Sequence, residues 1–247
     1  MKINDILEWN RKAINMRKYF GCSDSGFIDI ERVVESQEDI TLIFCEFSDD
    51  ISGLSIKDVN NKIIAINSRL SKGRQRFTIA HELCHLYFHD NSCYVSFRNI
   101  SQVKLTKEEY EADLFATYFL APYNDFKDAC EKYLSIFNKQ ETIVYLEHFF
   151  GLSHIATLTR MKQVGYLSSK EYEVFAMEKP SRLSAYYGLS NHLFLPSNIN
   201  QTSGKYIRKV NKLYQNNKIS TGKYEELLLD AFRDDLVYGD YIDGGID

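Results

Sequence analysis

Several features that would direct a search for function are missing from this sequence of 247 residues. Its net charge of −4 excludes the overall basic excess that is typical of nucleic-acid-binding domains. The five cysteines are odd in number and include no C-x-x-C pair, which argues against a disulfide framework and favours a reducing compartment. There is also no internal repeat and no low-complexity tract.

Long apolar segments are absent as well. No apolar run approaches the roughly 18 residues that are needed to span a bilayer. The first residues, Met1 to Lys18, are polar and charged throughout and lack the apolar core of a signal peptide. We therefore expect a soluble, cytoplasmic protein without membrane contact. With 44% hydrophobic residues, the chain can bury a core and suits one large domain or two small ones.

The stretch from Arg74 to His89 contains neither Pro nor Gly and has the apolar spacing of a helix. It carries the motif H-E-x-x-H, formed by His81, Glu82 and His85. Residues four apart lie on one face of a helix, so the two imidazoles can bind one metal ion while the adjacent carboxylate acts as a base. The alternative is a core helix that carries two histidines without binding a metal. A third metal ligand elsewhere in the sequence would argue against this alternative.

A catalytic zinc site usually has three protein ligands and a water molecule. His89 is the nearest candidate, but it lies eight residues after His81, about 12 Å along the axis of a straight helix. Zinc–nitrogen bonds of about 2.1 Å cannot span that distance. We therefore expect His89 to support a ligand or to end the helix.

A second helix is predicted over residues 106–120, with Thr106 at its start and Ala-Pro at its end. Glu109 and Asp113 share one face of this helix, and the small Ala112 would allow close approach to a neighbour. Glu109 is the predicted third ligand, and Asp113 is predicted to hydrogen-bond one of the ligands. Glu111 is the rival, but it points about 200° away from Glu109 around the helix, so only one of the two can face the metal.

These motifs, in this order and at this separation, resemble the ImmA/IrrE family of metallopeptidases. The resemblance covers roughly residues 60 to 125 and rests on Phe77-Thr78-Ile79-Ala80-His81-Glu82-Leu83-x-His85, Glu109-Tyr110-Glu111-Ala112-Asp113-x-Phe115-Ala116 and Leu120-Ala121-Pro122. It implies a gluzincin-like Zn²⁺ site with His81, His85 and Glu109 as ligands and Glu82 as the catalytic base. It also implies a cytoplasmic protein of bacteria or phages and other mobile elements, which cleaves a helix-turn-helix repressor and so takes part in gene regulation.

One residue departs from the family pattern. The family commonly has Gly where this chain has Cys84. We interpret Cys84 as a small packing residue; the alternative is an oxidisable thiol beside the metal.

The expected fold class is α+β, with a small antiparallel sheet packed against zincin-type helices and a mainly helical C-terminal region. Helices are predicted over residues 3–19 and 28–36, and strands over 41–47, 51–56 and 62–67. We expect the strand Ile63–Asn67 to be an exposed edge that pairs with an extended substrate. Residues 90–103 are predicted to form a loop beside the cleft.

The chain is divided into a zincin-like domain over residues 1–125, a helix-turn-helix-like segment over 126–170 and a helical region over 171–247. In the middle segment, Ser153, His154, Thr157 and Arg160 would face a DNA groove if the segment bound DNA, although many such units only pack internally. A basic helix follows further on, with Lys205, Arg208, Lys209, Lys212 and Lys218. A solvated face is its ordinary explanation, and contact with phosphate or an acidic partner is the alternative.

The sequence thus predicts a zinc-dependent endopeptidase acting on a protein substrate, such as a helix-turn-helix repressor or an antitoxin-like protein. A competing hypothesis is a transcriptional regulator or toxin–antitoxin component that binds DNA or a repressor without proteolysis. The two differ in whether Glu82 is needed for activity.

Overall fold

The computed structural model describes residues 3–97 and 106–239. Its strands are β1 (Ile40–Cys45), β2 (Ile51–Lys57), β3 (Lys62–Asn67), β4 (Cys93–Phe97) and β5 (Gln201–Gly204). Its helices are α1 (Ile3–Tyr19), α2 (Ile30–Ser36), α3 (Lys72–Phe88), α4 (Lys107–Leu120), α5 (Tyr123–Leu134), α6 (Lys139–Phe150), α7 (His154–Gln163), α8 (Ser169–Ala176), α9 (Pro180–Tyr186), α10 (Lys205–Gln215), α11 (Thr221–Leu229) and α12 (Asp234–Tyr238). The α+β class is confirmed.

The five strands form one sheet in the order β4-β2-β3-β1-β5. The sheet is mixed, not wholly antiparallel as expected, because β1 and β3 run parallel while the other three pairings are antiparallel. Since β3 has a neighbour on each side, the prediction that Ile63–Asn67 is an edge strand is wrong. Its side chains Ile64 and Ile66 are buried, so this strand belongs to the core.

The edge strand beside α3 is β4, which lies in the stretch predicted to be a loop. That prediction is wrong for residues 93–97. Their side chains alternate between buried and exposed positions as in a strand, but the residues facing inward are polar or aromatic and not aliphatic. Ser96 points inward and is buried, whereas Val95 and Phe97 are exposed on the outer side. Residues 98–103 of the predicted loop lie outside the described residues.

The helix α3 packs between the sheet and α4, as its apolar spacing predicts. Ile79 and Leu83 are fully buried in the main core. On α4, the small side chains Ala112 and Ala116 are also fully buried, which allows the two helices to lie close together. The predicted packing of the two motif helices is thereby confirmed.

The helices α6 and α7 form the predicted helix–turn–helix outline, with Gly151 at the turn in the left-handed region at φ 66°. Three of the side chains that would face a groove if the segment bound DNA are instead used internally, as the alternative of internal packing expects. His154, Thr157 and Arg160 are buried. His154 bonds the buried Glu147, with Nδ1 2.5 Å from Oε1, and Arg160 donates from Nη2 to a backbone carbonyl at 3.0 Å.

Ser153, the fourth of those residues, caps α7 by accepting a hydrogen bond from the backbone of Ala156. The DNA-contact surface suggested by the sequence is therefore not presented by these four side chains. None of the described helices combines the length and the apolarity that crossing a membrane would need.

The C-terminal region returns to the sheet and to the start of α3. The strand β5 pairs antiparallel with β1. Just before it, the Leu195 carbonyl accepts a hydrogen bond from the Lys72 amide at 3.0 Å, and the Asn198 amide donates to the Ser68 carbonyl at 3.0 Å. These bonds attach the C-terminal region to the helix that carries the H-E-x-x-H motif.

Two hydrophobic clusters are distinguishable in the described part of the chain. The larger one contains residues from Trp9 to Leu167 and so runs across residue 125. The smaller one joins α10 to α11 through residues such as Ile207 and Leu228. The boundaries proposed at 125/126 and 170/171 stay predictions.

The basic helix predicted after residue 204 is present as α10, but it ends at Gln215 and does not include Lys218. Part of its charge is used to hold neighbouring segments, since Arg208 donates to the backbone carbonyls of Glu35 and Gln37. Lys209, Lys212 and Lys218 are exposed, as on an ordinary solvated face.

Candidate metal centre

The candidate metal centre begins with two residues four apart on one face of α3. His81 and His85 turn their Nε2 atoms toward each other at 3.0 Å. Both side chains are buried. This is the arrangement expected for residues four apart on a helix whose face is covered by a second helix.

Glu109 on α4 completes the group. Its Oε2 lies 3.2 Å from His81 Nε2, and its Oε1 lies 3.4 Å from His85 Nε2. One ligand atom from each of the three residues falls within 4.8 Å of the others. Two imidazole nitrogens and one carboxylate oxygen at this spacing are a donor set that suits Zn²⁺ and leaves a fourth position for water or substrate.

The choice between Glu109 and Glu111 follows from the start of α4. Thr106 caps this helix by accepting a hydrogen bond from the Glu109 amide at 3.2 Å. The Glu109 carboxylate does not turn back to complete a capping box, because it lies against the two histidines. Glu111 faces elsewhere and places its Oε2 3.3 Å from His89 Nε2.

The outer nitrogens of both histidines are held by further side chains. Asp113 Oδ1 lies 3.0 Å from His81 Nδ1, and His89 Nδ1 lies 2.8 Å from His85 Nδ1. The ring of Tyr94 on β4 stacks on the His85 ring, with centroids 4.0 Å apart. Fixing Nδ1 orients each imidazole so that Nε2 is directed at the position shared with Glu109.

The C-terminal end of α3 is held by a cation from the sheet. Lys57 on β2 donates to the backbone carbonyls of His85 and Leu86, at 3.4 and 3.3 Å, and to that of His89. The last carbonyls of a helix lack partners within the helix, and a positive charge there also opposes the negative end of the helix dipole. Lys57 therefore stabilises the last turn of the motif helix.

The ligand groups perturb one another's protonation strongly. Burial alone would lower the pKa of His81, but hydrogen bonds to Asp113 and Glu109 raise that pKa to about 10. Burial alone would raise the pKa of Glu109, but both histidines lower it to about 2. The metal-free centre is therefore an imidazolium paired with carboxylates, and a metal ion has to replace its proton.

Glu82 is fully buried next to the ligand group. Its Oε1 accepts a hydrogen bond from the Ser96 hydroxyl on β4 at 2.5 Å. Its Oε2 is buried without a hydrogen-bond partner among the described residues. Burial raises the pKa of Glu82, against the opposing effects of His81, Ser96 and Ser55. A carboxylate with a raised pKa readily exchanges a proton with a molecule beside it.

Cys84, where the sequence departs from the family pattern, is fully buried in the main core. Burial raises the pKa of its thiol, so the reactive thiolate is disfavoured. These properties support the packing interpretation over the oxidisable switch. All five cysteines lie in the described part of the chain and all are free.

Sequence reasoning missed three residues around the centre: Lys57, Tyr94 and Ser96. Each lies on a strand and meets α3 only through the tertiary fold. The alternation of Tyr94 and Ser96 with exposed neighbours was the available signal, and it predicts that both face α3 once β4 is recognised as a strand. No comparable local signal identifies Lys57.

The fold and the centre together define a class of protein: an H-E-x-x-H helix against a sheet, with an acidic side chain of the following helix beside the two histidines, is typical of metallopeptidases. Comparison with known proteins then gives the family. Residues 35–162, just over half of the chain, match peptidase family M78, described as the IrrE N-terminal-like domain. The chain belongs to this family.

A curated relative agrees with this assignment. The chain is 29% identical to the metallopeptidase ImmA of Bacillus subtilis (strain 168) over 116 residues. The match spans 47% of this chain and 64% of that relative. The chain thus spans slightly less than two thirds of the length of the relative that it matches.

Proposed function

We propose that this protein is a zinc-dependent endopeptidase. The observation that carries the proposal is the meeting of His81, His85 and Glu109 within 4.8 Å, with the buried carboxylate of Glu82 adjacent. A structural zinc site has no need of a neighbouring carboxylate that keeps one oxygen unpaired. The arrangement therefore favours catalysis over a purely structural role.

His81, His85 and Glu109 would hold the ion, with Asp113 and His89 orienting the two imidazoles. When bound, zinc lowers the pKa of a coordinated water and polarises the carbonyl of the scissile bond. The donor set is preorganised for this, since both Nδ1 atoms are already occupied and neither histidine can rotate freely.

Glu82 is the proposed general base and acid. Its unpartnered Oε2 would accept a proton from the attacking water and deliver it to the nitrogen of the departing amine. Ser96 keeps the carboxylate in place through Oε1, so Oε2 stays directed to the reaction. Burial, which raises the pKa of Glu82, suits a group that must hold a proton briefly and then release it.

The proposed position of the substrate is along β4. Among the described residues this strand forms one edge of the sheet, and it carries Ser96 and Tyr94 next to Glu82 and His85. An extended peptide can add to such an edge through backbone hydrogen bonds, which bind without demanding one particular side-chain sequence.

We further propose a helix-turn-helix repressor or an antitoxin-like protein as the substrate, cleaved in the cytoplasm to derepress genes of a phage or mobile element. Support comes from the resemblance to the ImmA/IrrE family and from family membership. The alternative, a regulator that binds DNA without proteolysis, is disfavoured because His154, Thr157 and Arg160 are buried.

Metal analysis and proteolysis of matched variants test the proposal. We expect about one zinc per chain in the wild type, loss of zinc in Glu109→Ala and retention in Glu111→Ala. Glu82→Gln should keep the zinc and lower the cleavage of a repressor encoded nearby by about 10²–10⁴-fold, the usual contribution of a general base.

The outcomes separate the parts of the proposal. If Glu82→Gln cleaved as well as the wild type at equal zinc content, Glu82 would not be the general base. If zinc were retained in Glu109→Ala and lost in Glu111→Ala, the third ligand would be Glu111 and not Glu109. No zinc in the wild type, even after reconstitution, would reject the enzyme itself.

A further inference from the structure

A surface pocket of about 440 Å³ lies at the opposite end of α3 from His89. Its walls come from the segment around α2, the first turn of α3, the end of α6 and the C-terminal segment. Six of its residues matter here, namely Phe27, Glu31, Lys72, Arg76, His148 and His192. The metal centre and its supporting residues take no part in this pocket.

The acidic groups of the pocket are already paired. Asp29 lies 3.3 Å from Arg32, and Glu31 lies 3.4 Å from Lys72. Arg76 is different: it is 7% exposed, and no carboxylate among the described residues lies within ion-pair distance of it. The pocket therefore holds one buried guanidinium that no carboxylate contacts directly, although Glu31 and Asp29 on the pocket wall act on its charge from a greater distance.

Arg76 is fixed by neutral acceptors only. Its Nε donates to the Gly151 carbonyl at 3.1 Å, and its Nη2 donates to the Ile28 carbonyl at 2.7 Å. These two bonds orient the guanidinium without neutralising its charge. A buried cation is costly unless an anion accompanies it, and here the side chain lines an open pocket that an anion can enter.

The remaining lining suits an apolar body beside the anionic group. The guanidinium of Arg76 lies over the Phe27 ring, 4.4 Å from its centroid, and Phe27 is about half exposed. Leu193 and the imidazoles of His148 and His192 complete the wall. A volume of about 440 Å³ leaves room for a ring next to a carboxylate or phosphate.

We propose that this pocket binds a small organic anion, a carboxylate or phosphate ester with an aromatic or aliphatic body, through the guanidinium of Arg76. The bound anion would contact the first turn of α3 and the segment around His192 at once. It would therefore strengthen the attachment of the C-terminal segment to the motif helix, next to the hydrogen bond from Lys72 to Leu195.

Titration of the full-length chain with ring-sized probes tests the proposal. Benzoate and phenyl phosphate carry the required charge, and benzamide is their neutral counterpart. Binding is followed through the backbone amide signals of Lys72, Gly151 and His192 and through thermal stability. Each titration is repeated with and without added zinc, because binding that requires zinc would belong to the metal centre.

Two substitutions should act in opposite directions. Arg76→Gln should weaken binding of benzoate by about tenfold or more, the loss expected for a hydrogen bond to a charged group. Glu31→Gln removes a carboxylate and releases Lys72, so it should tighten binding by about threefold or more. Lys218→Gln, in an exposed loop between α10 and α11, is the matched control and should change nothing.

The proposal holds if the two anions bind, benzamide does not, and the two pocket variants shift affinity as stated. It fails if benzamide binds as well as benzoate, if no anion shifts the pocket amides, or if binding depends on zinc. Should Arg76→Gln not fold, Glu31→Gln decides alone, and unchanged or weaker binding of benzoate to that variant overturns the proposal.

Discussion

Asp113 offers the sharpest test of how the metal centre is held, because it touches one ligand through one hydrogen bond. Its Oδ1 lies 3.0 Å from His81 Nδ1. Asp113→Asn keeps an acceptor at this position but removes the negative charge. Asp113→Leu, of similar size, removes both the acceptor and the charge.

The expected loss can be bounded from the geometry. Two unit charges 4 Å apart interact by about 4 kcal/mol at an effective dielectric constant of 20. The Asp113 side chain is 33% exposed, so water screens part of this interaction. Loss of an outer hydrogen-bond partner of a metal ligand typically costs 10–100-fold in metal affinity, about 1.4–2.7 kcal/mol. We expect Asp113→Asn near the lower limit and Asp113→Leu near the upper one.

Zinc affinity is measured by competition with a chromophoric chelator at fixed pH. Glu108→Gln is the matched control. It also removes one carboxylate from α4, in the first turn, but leaves the hydrogen bond between Asp113 and His81 intact. Zinc binding by Asp113→Leu within about twofold of wild type would refute the claim that Asp113 orients His81. An equal loss in Glu108→Gln would attribute the effect to net charge alone.

Three further predictions concern the supports of α3 and the protons of its site. Lys57→Met should lower the free energy of unfolding by about 1–2 kcal/mol in a urea titration, because three carbonyls at the end of α3 lose their donor. Lys223→Met, at an exposed ion pair, is the control and should have a clearly smaller effect. Gly151→Ala should lower the free energy of unfolding by about 2–3 kcal/mol, because φ is 66° and the new methyl would lie 2.6 Å from a guanidinium nitrogen. Gly165→Ala, with φ 86° and open space around it, should lower it by only about 1–2 kcal/mol. Equal losses in the two variants would show that the close contact at Gly151 contributes nothing. Zinc binding should release about one proton per ion at neutral pH, since His81 has its pKa raised to about 10. Zinc affinity should therefore fall as pH falls. Calorimetry in two buffers of different ionisation enthalpy measures the proton release, and finding none would disprove the prediction.

The parts of the centre that a sequence can predict are those encoded within one helix. His81, Glu82 and His85 follow from spacing alone, because an α-helix brings residues four apart to one face. Glu109 needed one tertiary assumption, that the next helix packs against the first. Asp113 followed from Glu109 by the same spacing rule, and the structure brings both to His81.

The pairing between strands could not be predicted from the sequence. The strand patterns located β1, β2 and β3 within one or two residues, but periodicity does not say which strand lies at an edge. The edge strand β4 was missed because its inward residues, Tyr94 and Ser96, contact His85 and Glu82 of the H-E-x-x-H motif instead of an apolar core. The polar residues His154 and Arg160 on α7 also have partners that helical spacing does not reveal, namely Glu147 on the preceding helix and the Ala121 carbonyl at the end of α4.

The C-terminal region lies outside the matched family residues, yet it bears directly on the metal helix. Gln75, fully buried on α3, donates to the Leu70 carbonyl at 2.8 Å and to the Ser197 hydroxyl at 3.0 Å. Lys57 holds the other end of the same helix. Since Glu109 lies only 3.2 and 3.4 Å from the two histidine Nε2 atoms, a rotation of α3 about its axis would carry these nitrogens away from Glu109. Fixing both ends sets that rotation, and this gives residues 195–198 a role in the geometry of a centre that they do not touch.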